Sequence, residues 1–338
     1  LMWCNRFRPN SMDELDLHQP AQNILNALAE SKNIPHLLFV GQAGCGRHTR
    51  ALCMLKKIFN TQSINSISST VTYTHGQSES ELSVISSPIH LEINPSVVGT
   101  QDAAVITSVI KEAASARSIN SAFKVIFIQQ ADKLSLLAQQ ALRRLMEEHA
   151  KTCKLFLFAE SASGLMAPIR SRCFMLRLPT VKPAEMLQVF GGLQGKLKLQ
   201  LKQQDLEELA AMAGGNLRRF LMLCQCFAVM KEAGKSEVLP KWEILFGELY
   251  QKYFTQHSSV DADLRKGIVE ILKLGVPADV VIREFVRRIL KESFRCPFMY
   301  FVLEQACEYD TRLKGAQVGL IHVEAFINMI LHAKSVYK

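Results

Sequence analysis

The sequence lacks the patterns that mark membrane proteins, metal-stabilised proteins and repeat proteins. No apolar run approaches the roughly 18 residues that a membrane-spanning helix needs. The nine cysteines are scattered and include no CxxC pair, which argues against a zinc site and against a disulfide framework. No internal repeat or low-complexity tract is present. We therefore expect most cysteines to be small core residues in a reducing compartment.

Composition points to a well-packed globular protein with more than one domain. The chain has 338 residues, of which 48% are hydrophobic and 21% are charged. This length predicts about two to three domains. The net charge of +9 favours a polyanionic partner such as nucleic acid, although an ordinary basic surface fits the same number.

Short apolar runs alternate with helical patterns over the first half of the chain. This alternation predicts a parallel sheet covered by helices on both faces. After about residue 180 only helical patterns remain, and a charged segment at 231–240 that ends in proline reads as a linker. The predicted strands are 36–40, 90–93, 125–128, 155–158 and 174–178, and residues 61–88 read as weak strands or a surface loop. The predicted C-terminal helices are 242–255, 260–274, 277–292, 298–310 and 318–335.

A glycine loop joins the first predicted strand to a helix, as in proteins that cradle phosphates with backbone N–H groups. Gly41 and Gly46 fit the template G-x-x-x-x-G-K-[ST], and Gly44 adds flexibility. Arg47 stands at the lysine position, and His48 stands where a hydroxyl would bind Mg²⁺. Thr49 follows one residue late, about 100° further round the helix. A glycine turn without a ligand is the alternative.

Acidic residues are missing where a P-loop ATPase needs them. Such an enzyme ends its central strand in Asp-Glu, which supports Mg²⁺ and activates the attacking water. Here the strand 125–128 runs into Gln129 and Gln130. Because an amide cannot act as a general base, which contributes about 10²–10⁴-fold in rate, we expect hydrolysis to be nearly abolished. Asp132 follows at a position where a helix cap is expected.

Seven segments, in order along the chain, match the pattern of one protein family. The segments are MWCNRFRP (2–9), PHLLFVGQAGCG (35–46), HLEINPS (90–96), QQALRRLMEEHAKTCKL (139–155), IRSRC (169–173), GGNLRRFLMLCQ (214–225) and HVEAFINMILHAKSVY (322–337). They resemble the replication factor C small subunits, in the clamp-loader branch of the AAA+ ATPases. The similarity is strongest to the small subunit numbered three in human and five in budding yeast.

The resemblance implies an architecture and a set of partners. It implies a P-loop AAA+ domain with a parallel sheet at 1–178, a small helical lid at 179–235 and an all-α collar at 236–338. It also implies a nuclear ring of five subunits that opens a sliding clamp and places it at primer–template DNA in replication and repair. Arg172, in the S-R-C signature, would act as an arginine finger in a neighbour's ATP site, and a structural ion pair is the alternative.

The same resemblance assigns the remaining site residues. ATP or ADP would contact Gly41, Gly44, Cys45, Gly46, Arg47, His48, Thr49 and Arg218. Arg218 corresponds to the second sensor, and Glu160 replaces the first-sensor asparagine, where an acid would repel a γ-phosphate. The loop is compatible with bound ADP, weakly bound ATP or no nucleotide, and we expect binding of Mg²⁺ to be weak or absent. Arg143 and Arg144 could reach DNA phosphates, or form a solvated helix face.

Three functional hypotheses remain open on the sequence alone. The first is a ring subunit that hydrolyses no ATP itself and donates Arg172 to its neighbour. The second is an active ATPase that uses Arg47 and an acid not evident from the sequence. The third is a repurposed interaction module in another loader-like complex or outside DNA metabolism.

Overall fold

A computed structural model describes the chain except for residues 1, 32, 76–77, 116–122, 151, 198–200, 233–238, 256–261, 293–295, 316–317 and 337–338. The chain divides into two compact units, Leu1–Glu237 and Val238–Lys338. The linker predicted at 231–240 lies largely outside the described residues. The boundary predicted at 178 and 179, between the sheet domain and the lid, stays a prediction.

Within the described residues, seven strands form one sheet in the order β2-β3-β4-β5-β6-β1-β7. The strands are β1 His36–Val40, β2 Ile67–His75, β3 Ser78–Ser86, β4 His90–Ile93, β5 Lys124–Ile128, β6 Cys153–Ala159 and β7 Cys173–Arg177. Strands β4, β5, β6, β1 and β7 pair in parallel, as the five apolar runs predict. The Ser- and Thr-rich segment forms β2 and β3, an antiparallel hairpin at the edge of the sheet.

Helices cover the central parallel strands on both faces because these strands are mostly apolar. Leu37, Leu38 and Phe39 of β1 are all fully buried. Alternate residues of β1, β5 and β6 contribute to two separate cores. The helices and helical turns of the first unit are α1 Trp3–Arg6, α2 Gln19–Glu30, α3 Arg47–Ile58, a 3₁₀ segment Pro95–Gln101, α4 Asp102–Val105, a π turn Ile106–Ile110, α5 Lys111–Ser115, a 3₁₀ turn Ala131–Lys133, α6 Leu136–Glu148, a 3₁₀ turn Ala162–Gly164, α7 Ala167–Arg170, α8 Pro183–Leu197, α9 Gln203–Ala213 and α10 Leu217–Glu232.

The N-terminal segment packs against the helices of the predicted lid. The backbone N–H of Trp3 donates to Gln225 Oε1 of α10 at 2.8 Å. The Trp3 ring also lies 6.3 Å from the ring of Phe190 in α8, measured between centroids. The start of the chain is therefore attached to the same helices that carry Arg218.

The second unit consists of helices in its described part. They are α11 Lys241–Leu249, which continues into a π turn Tyr250–Thr255, then α12 Ala262–Lys273, α13 Ala278–Lys291, α14 Cys296–Gly315 and α15 Gly319–Val336. Buried aromatic rings, including Phe254, Phe285 and Phe326, hold these helices together. The fold class predicted from the sequence, a parallel α/β domain followed by helices, is confirmed. In the described parts of both units, no helix is long and apolar enough to cross a membrane.

Candidate functional site

The glycine loop connects β1 to α3 in a backbone conformation that suits glycine. Gly44 has φ +79° and Gly46, at the N-cap of α3, has φ +87°. A side chain is strained at such positive φ angles. The first N–H groups of a helix have no partner within the helix, so the loop presents free donors at the start of α3.

Helix α10, which lies in the predicted lid, begins directly against this loop. A Cβ atom added at Gly44 would lie 1.8 Å from Oδ1 of Asn216. The same oxygen accepts a hydrogen bond from the Arg219 backbone N–H at 3.0 Å, which caps the start of α10. Glycine at position 44 therefore lets the loop and the lid approach each other closely.

A cavity of about 460 Å³ lies between the loop, the N-terminal segment and the lid. Its volume is in the range of small-molecule sites. Five of the residues predicted to contact a nucleotide line it, namely Gly44, Cys45, Gly46, Thr49 and Arg218. The other three predicted residues, Gly41, Arg47 and His48, are not part of the described wall.

Charged side chains of both signs line this cavity. Arg8, Arg50 and Arg218 are the cations, and Glu14 and Asp16 are the acids. Arg50 was not predicted from the sequence; it lies in α3 three residues beyond the position that a P-loop lysine would occupy. The only sequence signal is an arginine beside the apolar core positions of α3.

Arg50 is buried, with 3% of its surface exposed. Its Nη1 donates to the carbonyl oxygen of Cys45 at 3.0 Å, and its Nη2 donates to the carbonyl oxygen of Leu17 at 2.7 Å. Burial lowers the pKa of the Arg50 guanidinium, although such a group stays protonated at neutral pH. A single side chain therefore connects the glycine loop to the N-terminal segment.

His48 occupies the position of a magnesium-binding hydroxyl, and its side chain is paired with Glu92 of the same chain. Its Nε2 lies 2.8 Å from Glu92 Oε2, and Gln129 Nε2 donates to Glu92 Oε1 at 2.8 Å. Burial alone would raise the pKa of Glu92. The hydrogen bond and electrostatic interaction with His48, together with the hydrogen bond from Gln129, outweigh burial, and the pKa of Glu92 is lowered. Arg8 Nη1 lies 3.5 Å from His48 Nδ1 at the other side of the ring. Both ring nitrogens of His48 thus lie close to other side chains of the protein.

Gln130 occupies the position of the catalytic glutamate. Its backbone has φ +49°, and its Oε1 accepts a hydrogen bond from the Ser96 hydroxyl at 2.9 Å. Its amide is thus held by Ser96, on the segment that follows β4.

The prediction that Asp132 caps a helix is wrong. Ser135 caps α6 through its hydroxyl, because the 3₁₀ turn Ala131–Lys133 intervenes and displaces Asp132 from that position. Asp132 Oδ2 instead accepts from the backbone N–H groups of Glu160 at 3.0 Å and Ser161 at 3.3 Å. It therefore holds the segment that follows β6, where Glu160 is exposed.

Arg172 lies between α7 and β7, and 36% of its side chain is exposed. Its Nη2 lies 2.6 Å from Glu147 Oε1, and its Nη1 donates to the Pro168 carbonyl oxygen at 2.8 Å. Arg143 Nε approaches the same Glu147 oxygen at 3.2 Å, and Arg144 is exposed on α6. Arg143 and Arg172 lower the pKa of Glu147, and one carboxylate thus serves two arginines.

Half of the eight described cysteines are buried, fewer than the majority expected from the sequence. Cys45, Cys53, Cys153 and Cys224 are buried free thiols. Burial raises the pKa of Cys53 to about 11. The described residues contain no group of three or more His, Cys, Asp or Glu side chains that could hold a metal ion.

Comparison with known proteins shows similarity over the whole chain. The probable replication factor C subunit 3 of Dictyostelium discoideum is 30% identical, and the match covers 100% of this chain and 99% of that protein. Human replication factor C subunit 3 is 30% identical over 96% of this chain and 94% of that protein. Replication factor C subunit 5 of Saccharomyces cerevisiae is 29% identical over 98% of each protein.

A family model and solved structures agree with this similarity at the level of domain and fold. The family described as DNA polymerase III, delta subunit, matches residues 17–182. The RuvB Holliday junction branch migration motor of Thermotoga maritima has a TM-score of 0.51 at 16% identity, covering 80% of this chain and 86% of that one. A point mutant of the same motor gives a TM-score of 0.53 at 17% identity, covering 81% of this chain and 87% of that one.

Proposed function

Because this chain belongs to the replication factor C subunits of sliding-clamp loaders, we propose that it takes one place in a ring of five related subunits that loads the clamp onto primed DNA. The resemblance inferred from the sequence is confirmed, including the similarity to subunits numbered 3 and 5. Its partners are other replication factor C subunits. The clamp, primer–template DNA, a nuclear location and a part in DNA repair belong to the proposal.

Its role in the ring is to complete a neighbour's ATP site while hydrolysing no ATP itself. The observation that carries this proposal is the contrast between His48 and Arg172. His48 is engaged with Glu92 inside the subunit, whereas Arg172 is partly exposed at the surface. An arginine finger must reach another subunit's phosphates, and this position suits that task.

The cavity fits a nucleotide but not its metal ion. The N–H groups of Gly44 and Gly46 and the Arg218 guanidinium would hold the phosphates of ADP or ATP. Magnesium normally neutralises phosphate charge and orients the terminal phosphate. Each Glu92 carboxylate oxygen already has a partner, in His48 or Gln129, which weakens the support that this carboxylate would give the ion. Glu160 adds a negative charge after β6, which disfavours a third phosphate.

We expect nucleotide binding by the purified chain to be independent of Mg²⁺. Removing Mg²⁺ with EDTA should change the dissociation constant for ADP by less than about two-fold, measured by isothermal titration calorimetry. The same preparation should show no ATP turnover above background in a phosphate-release assay. An affinity that rises ten-fold or more when Mg²⁺ is added, or measurable turnover, would contradict this part of the proposal.

Membership of the ring can be tested by its partners. The tagged chain would be purified from cells of its source, and the proteins that accompany it identified by mass spectrometry. We expect the other replication factor C subunits and the sliding clamp in comparable amounts. Recovery of the chain without them would remove the functional proposal and leave the fold.

DNA contact is assigned to α6. Arg143 and Arg144 are exposed on this helix, and arginines at such positions can bind phosphates without reading sequence. Arg143 shares Glu147 with Arg172, so its charge is already partly offset.

A further inference from the structure

Arg50 is a buried cation whose described partners are all uncharged. Besides the carbonyl oxygens of Cys45 and Leu17, its Nη1 donates to the Gly46 carbonyl at 3.5 Å. No carboxylate is among the groups that shift its pKa; these are burial, followed by Cys45 and Cys53. A buried charge without a partner of opposite sign is unfavourable, so this position favours a bound anion.

The contacts of Arg50 fix the direction of the loop's donors. In a trans peptide unit the C=O and N–H groups point in opposite directions. Since the Cys45 and Gly46 carbonyls face Arg50, the N–H groups of Gly46 and Arg47 face away from it. A Cβ atom added at Gly46 would lie 2.5 Å from Arg50 Nη1, so the guanidinium packs directly against the glycine.

Arg50 also has an unsatisfied donor inside the protein. Arginine carries five N–H donors, and the buried Nε of Arg50 has no hydrogen-bond partner in the described structure. Arg50 forms part of the cavity wall, whereas Arg47 does not. The bond to Leu17, which also lines the cavity, joins the loop to the opposite wall.

We infer that Arg50, rather than Arg47, supplies the positive charge of the glycine loop at the phosphate subsite, beside Arg218. It offsets the phosphate charge of a bound nucleotide from behind the glycine loop and holds the loop N–H groups toward the ligand. This inference rests on the proposed nucleotide site and adds to it a positioning residue outside the glycine-loop motif.

The test compares ligands that share a base and differ in phosphates. Adenosine, AMP and ADP would be titrated calorimetrically into the full chain, its Arg50→Met and Arg50→Lys variants, and the control Lys56→Met from the same helix. Lys56 is suitable because its Nζ donates to Asn10 Oδ1 on the surface, away from the cavity.

Arg50→Met should weaken ADP binding about 10- to 100-fold, because the loop loses the positive charge behind it and the contacts that orient its N–H groups, and should leave adenosine binding unchanged. Arg50→Lys should recover part of the loss, because it keeps the charge but not the planar fork. Lys56→Met should bind ADP like the wild type.

Two outcomes would overturn the inference. One is unchanged ADP affinity in Arg50→Met, and the other is an equal loss for adenosine and ADP, which would indicate a structural role. If Arg50→Met does not fold, Arg50→Lys decides in the same way, since it too should weaken ADP and spare adenosine. Failure of the wild-type chain to bind ADP would instead remove the proposed nucleotide site itself.

Discussion

Replacing Arg172 by alanine should leave the clamp loader assembled and slow ATP hydrolysis at the neighbour's site by about 10³-fold or more. The physical reason is that a finger stabilises charge that develops on the transferring phosphate, and alanine supplies no positive charge there. Hydrolysis would be measured on the reconstituted ring with DNA and clamp. Assembly would be checked by size-exclusion chromatography.

Arg170→Ala provides a matched control for this experiment. Arg170 is exposed two residues away, at the end of α7, and has no role in the proposed mechanism. A ring that contains the Arg170→Ala variant should hydrolyse ATP at the wild-type rate. If Arg172→Ala kept the wild-type rate, or if both variants lost activity equally, the finger assignment would have to be abandoned, and the Glu147 contact would be a structural ion pair.

Acidification should destabilise the first unit strongly through two buried histidines. His36 and His90 are 8% and 1% exposed, and burial lowers the pKa of each from 6.5 to about 4. His36 Nδ1 accepts a hydrogen bond from the Leu155 backbone N–H at 3.0 Å, which requires an unprotonated ring nitrogen. Both histidines are therefore neutral in the folded state.

The direction in which pH changes the free energy of unfolding follows from the protonation of these histidines in the folded and unfolded chain. Between pH 6.5 and pH 4 the unfolded chain binds protons at these histidines and the folded chain does not. The free energy of unfolding therefore falls as the pH falls, by about 2 kcal/mol for each histidine between pH 7.5 and pH 5. Urea unfolding at a series of pH values would measure this slope.

Variants and direct titration would assign the slope to these residues. His36→Gln and His90→Gln should each flatten the dependence on pH, whatever they cost at pH 7.5. In an NMR titration, ring signals of His36 and His90 that move near pH 4 would agree with the structure. Signals that move near pH 6.5 would rule out the explanation.

The parallel sheet could be predicted because its strands are buried on both faces. Such strands appear in the sequence as continuous apolar runs. Five such runs with helical patterns between them predict alternating strands and helices along the chain. The hairpin of β2 and β3 was harder to predict because it lies at an edge, where polar residues are tolerated and no apolar run marks a strand. The glycine loop was predictable because positive φ angles restrict its residues.

The interactions inside the site could not be predicted in the same way. His48 meets Glu92 and Gln129 only because β4 and β5 are neighbours in register, which pairs Glu92 with Phe127. Arg50 could be identified only from the structure, in which the Cys45 and Gly46 carbonyl groups point toward its guanidinium. Asp132 was misassigned because one 3₁₀ turn separates it from α6, and such a turn leaves little trace in a sequence.

The contact between Gly44 and Asn216 has a consequence for kinetics. The glycine loop and the first turn of α10 meet at the cavity, and Asn216 also fixes the start of that helix. A nucleotide bound in the cavity would lie next to this contact, and we expect it to leave when α10 separates from the loop. Its residence time would then depend on the frequency of that separation, and exchange would be slow even where affinity is modest.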